Sequence, residues 1–269
     1  MVSFAGAFHF LVLKQFKIMA YIIVFLIITI ASFIFAMLGL GGGMVYVPVI
    51  NWFGFDMKEV AIPLGLLLNG LNTLFALIPF ARKKLIDWKG GAVMAVAAVI
   101  ASPAGSWFAQ YVPVGTLKIF FAAMVVVAAV RTLMVSGNAE PESMMSFKRR
   151  AVIGLFVGIF AGFVGGMLGI GGGFIIAPIL MWMGYKTKEA AATTAFVVTF
   201  SSFSGYFGHM AQGHMNWTLT IILIVSVIIG SQFGARYLSS KAKSKQVKII
   251  YAVVLLLIAA KLVIDVLLK

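Results

Sequence analysis

The sequence predicts an all-α, polytopic membrane protein with about eight hydrophobic helices in two tandem repeats, read as inverted, whose helices break at GGG motifs. Three observations predict it. Of 269 residues, 62% are hydrophobic and 10% charged, with a mean hydropathy of +1.10, whereas soluble domains carry about a quarter charged residues. Apolar runs recur at roughly the 20 residues that cross a ~30 Å hydrocarbon core. One stretch of sequence also occurs twice, at 37–48 and 167–178.

The same composition excludes other classes. The absence of cysteine removes disulfide frameworks, Cys-ligated metals and thiol catalysis. A net charge of +14 invites a nucleic-acid reading. The basic residues, however, sit in short clusters between apolar runs instead of on one face, where they act as topology signals. Lys14 and Lys17 interrupt the first 20 residues, and no small-residue cleavage site follows a separate apolar core. That stretch is expected to be mature protein and not a signal peptide.

Taken in order, the apolar runs fall near 18–38, 60–81, 90–111, 116–135, 151–168, 189–210, 217–238 and 247–267. Two shorter pieces, near 44–53 and 174–183, are too short to cross. The sizeable hydrophilic connection is 136–150, SGNAEPESMMSFKRR. Residues 1–269 therefore read as a single integral membrane domain, with internal repeats about 20–135 and 151–268 and the linker 136–150.

The repeat runs well beyond its core. MLGLGGGMVYVP (37–48) matches MLGIGGGFIIAP (167–178), and Trp52, Gly54, Lys58 and Glu59 match Trp182, Gly184, Lys188 and Glu189. After a one-residue slip, Asp87-Trp88 matches Asn216-Trp217 and Gly105 matches Gly234. The basic clusters swap loops between copies: 81–89 is basic and its counterpart 211–217 carries no formal charge, while 236–248 is basic and its counterpart 111–118 holds only Lys118. The positive-inside rule then places 81–89, 136–150 and 236–248 in the cytoplasm, which inverts the copies. Inversion needs an odd number of crossings per copy, so each broken run and its short follower are read as a re-entrant hairpin. Lys14 and Lys17 carry the opposite signal, and a parallel eight-helix arrangement stays open.

The glycine clusters are the strongest chemical signal. Three consecutive glycines break a helix at a cost of ~1 kcal/mol each relative to alanine. The helix that restarts would aim its free N–H groups and positive dipole end at the break. Gly41, Gly42, Gly43, Gly171, Gly172 and Gly173 are therefore candidate substrate-binding residues, in an anion site made of backbone donors; the alternative is tight helix crossing. Polar residues inside the following runs could add side-chain donors. Asn69 aligns with Thr199, and Asn72 with Ser202; interhelical bonding or bonds back to carbonyls are the alternative.

No carboxylate falls in the middle of a run. Asp56-x-x-Glu59 and Glu189 read as caps, so a buried proton relay or cation cage is not expected. Arg131 and Lys261 lie toward helix ends and can snorkel. His209 and His214 have no partners at metal-ligand spacing, and Trp52, Trp88, Trp182 and Trp217 read as interfacial anchors.

The paired GLGGGMVYVP and GIGGGFIIAP motifs, over about 20–268, resemble those of the TauE/SafE family of sulfite and sulfonate exporters. The resemblance implies a multi-pass protein of the bacterial plasma (inner) membrane that transports sulfite, a sulfonate or another organosulfur anion. The expected function is a membrane transporter of a small anion working by alternating access, with no enzymatic activity, no cofactor and no metal. A passive anion channel or a carrier of small organic carboxylates is the alternative. The expected partners are a small anionic substrate and membrane lipids, with no nucleic acid; a homo-oligomer is left open.

Overall fold

The structure, a computed structural model, describes residues 4–135, 143–210 and 216–240, with separate positions between 249 and 264. Every regular element among them is helical: α1 (Phe4–Leu38), α2 (Gly43–Trp52), a π-helical turn (Met57–Ala61), α3 (Ile62–Arg82), α4 (Trp88–Ala109), α5 (Val114–Val135), α6 (Phe147–Leu168), α7 (Gly173–Trp182), α8 (Thr187–His209) and α9 (Trp217–Ser240). Five segments are long and apolar enough to cross a membrane: Met19–Leu38, Met57–Arg82, Trp88–Ala109, Phe147–Leu168 and Trp217–Ser240. The interior of α8, with Thr193, Thr194, Thr199, Ser201, Ser202 and Ser204, is too polar to join them.

Two boundaries differ from the sequence expectation. α1 begins at Phe4 and not near residue 18, because a lysine interrupts an apolar run without interrupting a helix. The second run begins with the π-helical turn, whose start Asp56 caps by accepting from the Lys58 and Glu59 amides at 2.7 and 2.8 Å. Asp87 and its counterpart Asn216 play one role, accepting from the Gly90 and Leu219 amides to cap α4 and α9. The run expected at 247–267, and the loops at 136–142 and 211–215, lie largely or wholly outside the described residues.

Packing follows the sequence repeat. α4 packs most extensively on α6 and α8, and its counterpart α9 on α1 and α3; α3 and α8 pair at the centre. Small residues permit these crossings. Gly158, Gly162 and Gly166 set one face of α6 against the backbone of Met94, Ala98 and Ser102 on α4. A methyl group at Gly105 would lie 1.9 Å from the Phe163 carbonyl, and one at Gly234 would lie 2.1 Å from that of Phe33.

The bundle has two distinct ends. At one, Lys58 Nζ donates to the Gln110 carbonyl at 3.0 Å, joining the start of the π-helical turn to the end of α4. At the other, Asp87, Arg150 and Tyr185 meet, and the ends of α3 and α9 bring Arg82, Lys83 and Arg236 around one cavity. The second is the basic end. α6 and α7 form a hairpin that leaves and regains it, since the Met145 amide donates to the Met183 carbonyl at 3.0 Å.

Asp87, Arg150 and Tyr185 form a latch between the N-terminus of α4, the first turn of α6 and the α7–α8 connection. Arg150 Nη1 pairs with Asp87 Oδ2 and donates to the Tyr185 hydroxyl at 2.6 Å, and that hydroxyl donates to Asp87 Oδ2 at 2.7 Å. Partial burial opposes ionisation of Asp87, but the Gly90 amide, the Tyr185 hydroxyl and the Arg150 guanidinium outweigh it and hold the carboxyl below the ordinary range. Burial first, then Asp87, pushes Tyr185 up to about 12. The contribution of Asp87 is therefore complete above its ordinary value of about 4 and is lost as pH falls through the lower folded value. That of Tyr185 is lost only as pH rises through about 12.

Thermal unfolding of the detergent-purified protein should accordingly be nearly flat around neutral pH and fall below about pH 4. Asp87→Asn should lower the neutral plateau by about 1–2 kcal/mol, a range reduced by the solvent access both groups keep, and should blunt the acid fall. An unchanged profile would contradict the latch.

Candidate functional site

Each long helix that precedes a break ends on a left-handed glycine. Gly39 and Gly169 have φ of +64° and +79°, and Gly41 and Gly171 have +74° and +67°. The turns close with Leu40 N donating to the Phe35 carbonyl at 3.3 Å and Ile170 N to the Gly165 carbonyl at 3.0 Å. α2 and α7 then restart within the protein, and both breaks are buried from end to end.

The breaks touch each other through their backbones. A methyl group at Gly43 would lie 2.5 Å from the Gly169 carbonyl, and one at Gly173 would lie 2.7 Å from that of Leu40. Asn69, fully buried near the middle of the Met57–Arg82 segment, ties them together. Its Oδ1 accepts from the Gly42 and Gly43 amides at 2.6 and 2.8 Å, capping α2. Its Nδ2 donates to Ser202 Oγ at 2.9 Å and to the Ile170 carbonyl, in the second break, at 3.4 Å. All four hydrogen-bonding positions of the amide are used. Gly41 and Gly171 leave room for it: an added methyl would lie 1.9 Å from Asn69 Oδ1 at the first and 2.3 Å from Ser202 Oγ at the second.

The second break lacks an equivalent clamp. Thr199, which aligns with Asn69, makes no hydrogen bond to the break; its hydroxyl bonds to the Ala195 carbonyl at 2.7 Å and to Thr73 Oγ1 at 2.9 Å. No side chain caps α7, and the Gly173 and Phe174 amides make no hydrogen bond to a described residue. The difference reaches the backbone, since Gly172 has φ +80° where Gly42 has −135°. Ser201 secures this break from the other side by donating to the Gly171 carbonyl at 2.9 Å.

The structure thus brings Gly41, Gly42, Gly43, Gly171, Gly172, Gly173, Asn69 and Ser202 into one buried cluster. Thr199 faces Thr73 instead. Asn72, one turn along α3 from Asn69, is fully buried with both amide atoms unpaired, and Ser102 and Thr194 bury unpaired hydroxyls. Valine at Gly42 or Gly172 would test packing more than ligand binding, because the first carbon would lie 2.0 Å from Tyr46 Cζ or 2.3 Å from the Ala161 carbonyl.

The remaining candidates take structural positions. His209 is buried with Nε2 3.3 Å from the Gly166 carbonyl, and Glu189 accepts from the Lys186 amide at 3.3 Å in the first turn of α8. Lys261 lies over the ring of Trp52, 5.7 Å from its centroid. His214 and the Arg131 side chain lie outside the described residues. Among described residues, no group of three His, Cys, Asp or Glu could hold a metal ion. Sequence reasoning missed two features: the Asp87–Arg150–Tyr185 latch and the Ser32–Tyr46 contact, whose hydroxyls lie 2.7 Å apart. Asp87, alone in its sign within ARKKLIDWK, was the available clue to the first.

Comparison with known proteins agrees with this architecture. Residues 24–262 match the family model described as "Sulfite exporter TauE/SafE". "Probable membrane transporter protein YunE" of Bacillus subtilis (strain 168) is 26% identical, with 91% of this chain aligned to 98% of that protein. A probable membrane transporter protein of Methanocaldococcus jannaschii is 25% identical over 82% of this chain and 86% of its own length. "Sulfite exporter TauE/SafE family protein 3" of Arabidopsis thaliana is 51% identical, but over 45 residues, 17% of this chain and 10% of that protein. No solved structure matches. The helices, the paired breaks and the match over most of the chain make this a multi-pass membrane protein belonging to the TauE/SafE family of membrane transporters.

Proposed function

We propose that the protein exports a small oxyanion across the plasma membrane by alternating access, binding it where the two helix breaks meet. The observation that carries this reading is Asn72. An amide sealed from solvent with both ends unpaired costs about 1–3 kcal/mol for each lost partner, so its retention points to a ligand that pairs it. The uncapped start of α7 offers further donors of the same kind, with the positive end of the helix behind them. Backbone amides and a carboxamide suit a tetrahedral or planar oxyanion. The family description favours sulfite, a sulfonate or another organosulfur anion.

Contacts at the two ends support inverted repeats. α3 starts from the end where Lys58 meets Gln110 and reaches the basic end at Arg82, whereas α8 starts from the basic end beside Tyr185. The basic residues of 81–89, 136–150 and 236–248 represented there (Arg82, Arg150 and Arg236) share that end, as the cytoplasmic assignment requires. Burial of both breaks favours a carrier with an occluded site over a passive channel. Rocking of one repeat against the other would open the site to each side in turn.

Flux of labelled sulfite, sulfoacetate, sulfate and small carboxylates from proteoliposomes tests the site. Asn72→Leu should abolish saturable flux while raising thermal stability by about 1–3 kcal/mol, because it removes an unpaired buried amide. Normal transport by that variant would exclude Asn72 from the site. Asn69→Leu should instead lower stability by about 1–3 kcal/mol for each buried partner it leaves unpaired, and should stop transport. A stable, active Asn69→Leu protein would show that the breaks hold together without the amide.

A further inference from the structure

The basic end contains a cavity of about 270 Å³ between the last turns of α3 and α9. Arg82 and Lys83 line it from one helix, and Arg236, Ser239 and Ser240 from the other. All three cationic residues are exposed, and the one ion pair among the described residues, Asp87–Arg150, involves none of them. The Ser239 and Ser240 hydroxyls donate to the Arg236 carbonyl at 3.0 and 2.6 Å, fixing the turn that carries the guanidinium. Three positive charges around one hollow repel one another and favour a multivalent anion.

The location narrows the ligand. Met57–Arg82 and Trp217–Ser240 both end at this cavity, so it lies where an apolar span gives way to water, at the depth of phospholipid headgroups. Ile78, 43% exposed, forms an apolar wall beside the charges. Two guanidinium groups from different helices can grip the oxygens of one phosphate bidentately. We propose that this cavity binds a phosphate-class oxyanion, carried either by an anionic phospholipid or by a soluble phosphate, and so bridges the ends of α3 and α9. The site is separate from the helix breaks and does not depend on the transport reading.

Native mass spectrometry of the full-length protein in neutral detergent tests it, with phosphatidylglycerol and phosphatidylcholine of equal chain length as probes. Wild type should retain phosphatidylglycerol over phosphatidylcholine. The double variant Arg82→Gln/Arg236→Gln should weaken that retention about twenty-fivefold, at about fivefold per cation, and Lys118→Gln, from the other end of the bundle, should leave it unchanged. All of these side chains lie at the ends of helices, and circular dichroism of each variant checks the fold. Lys83→Gln, expected to weaken retention about fivefold, provides an independent variant if the double one misfolds. Competition by inorganic phosphate at constant ionic strength would assign the site to soluble oxyanion, and its failure to compete would assign it to lipid. Equal retention of the two lipids, or retention indifferent to Arg82, Arg236 and Lys83, would overturn the proposal.

Discussion

The fold turns on one carboxamide. A helix broken within a bilayer leaves N–H and C=O groups that no water can satisfy, each costing several kcal/mol if unpaired. Two such breaks are tolerated here because they lie against each other and because Asn69 reaches both. It accepts from the Gly42 and Gly43 amides and donates to the Ile170 carbonyl and to Ser202. Gly41, Gly43, Gly171 and Gly173 are small for a shared reason: a side chain at any of them would occupy the space of that bridge or of the opposite backbone. The central pairing of α3 with α8, which carry Asn69 and Ser202, follows from the same requirement.

The bridge is asymmetric, and the proposed site rests on that asymmetry. Duplication gives each break the same glycines, but Asn69 in one copy is Thr199 in the other. The first break is closed by protein alone. The second keeps an uncapped α7, and Asn72, on α3 one turn from Asn69, is buried with its amide unpaired. A symmetric pair of clamps would make a more stable bundle with no donors to spare. In the proposed function, these unpaired donors are what an oxyanion would use, and its binding would offset their cost.

Much of this was legible in the sequence, and the reasons are specific. The apolar runs gave α3 to α6, α8 and α9 to within a few residues, because a helix in lipid must be about as long as the bilayer is thick. The glycine pairs located both breaks, since little else in a membrane helix requires three glycines together. Asp87 and Asn216 were recognisable as equivalents and cap equivalent helices. Alignment could not show that Asn69 and Thr199 behave differently, because that depends on which partners each side chain meets in the fold. It was equally blind to Arg150 meeting Asp87 across 63 residues. The start of α1 at Phe4 was missed because charge was read as a boundary where helix propensity continues.

Alternating access requires the proposed site at the breaks to be reached from one side at a time. Counterflow in proteoliposomes tests it most directly: vesicles are loaded with unlabelled sulfite, and uptake of external labelled sulfite is followed against vesicles without internal sulfite. A carrier with an occluded site predicts faster uptake and a transient overshoot in the loaded vesicles. Uptake that is indifferent to the internal anion would mean a pore open to both sides at once, and would contradict the account.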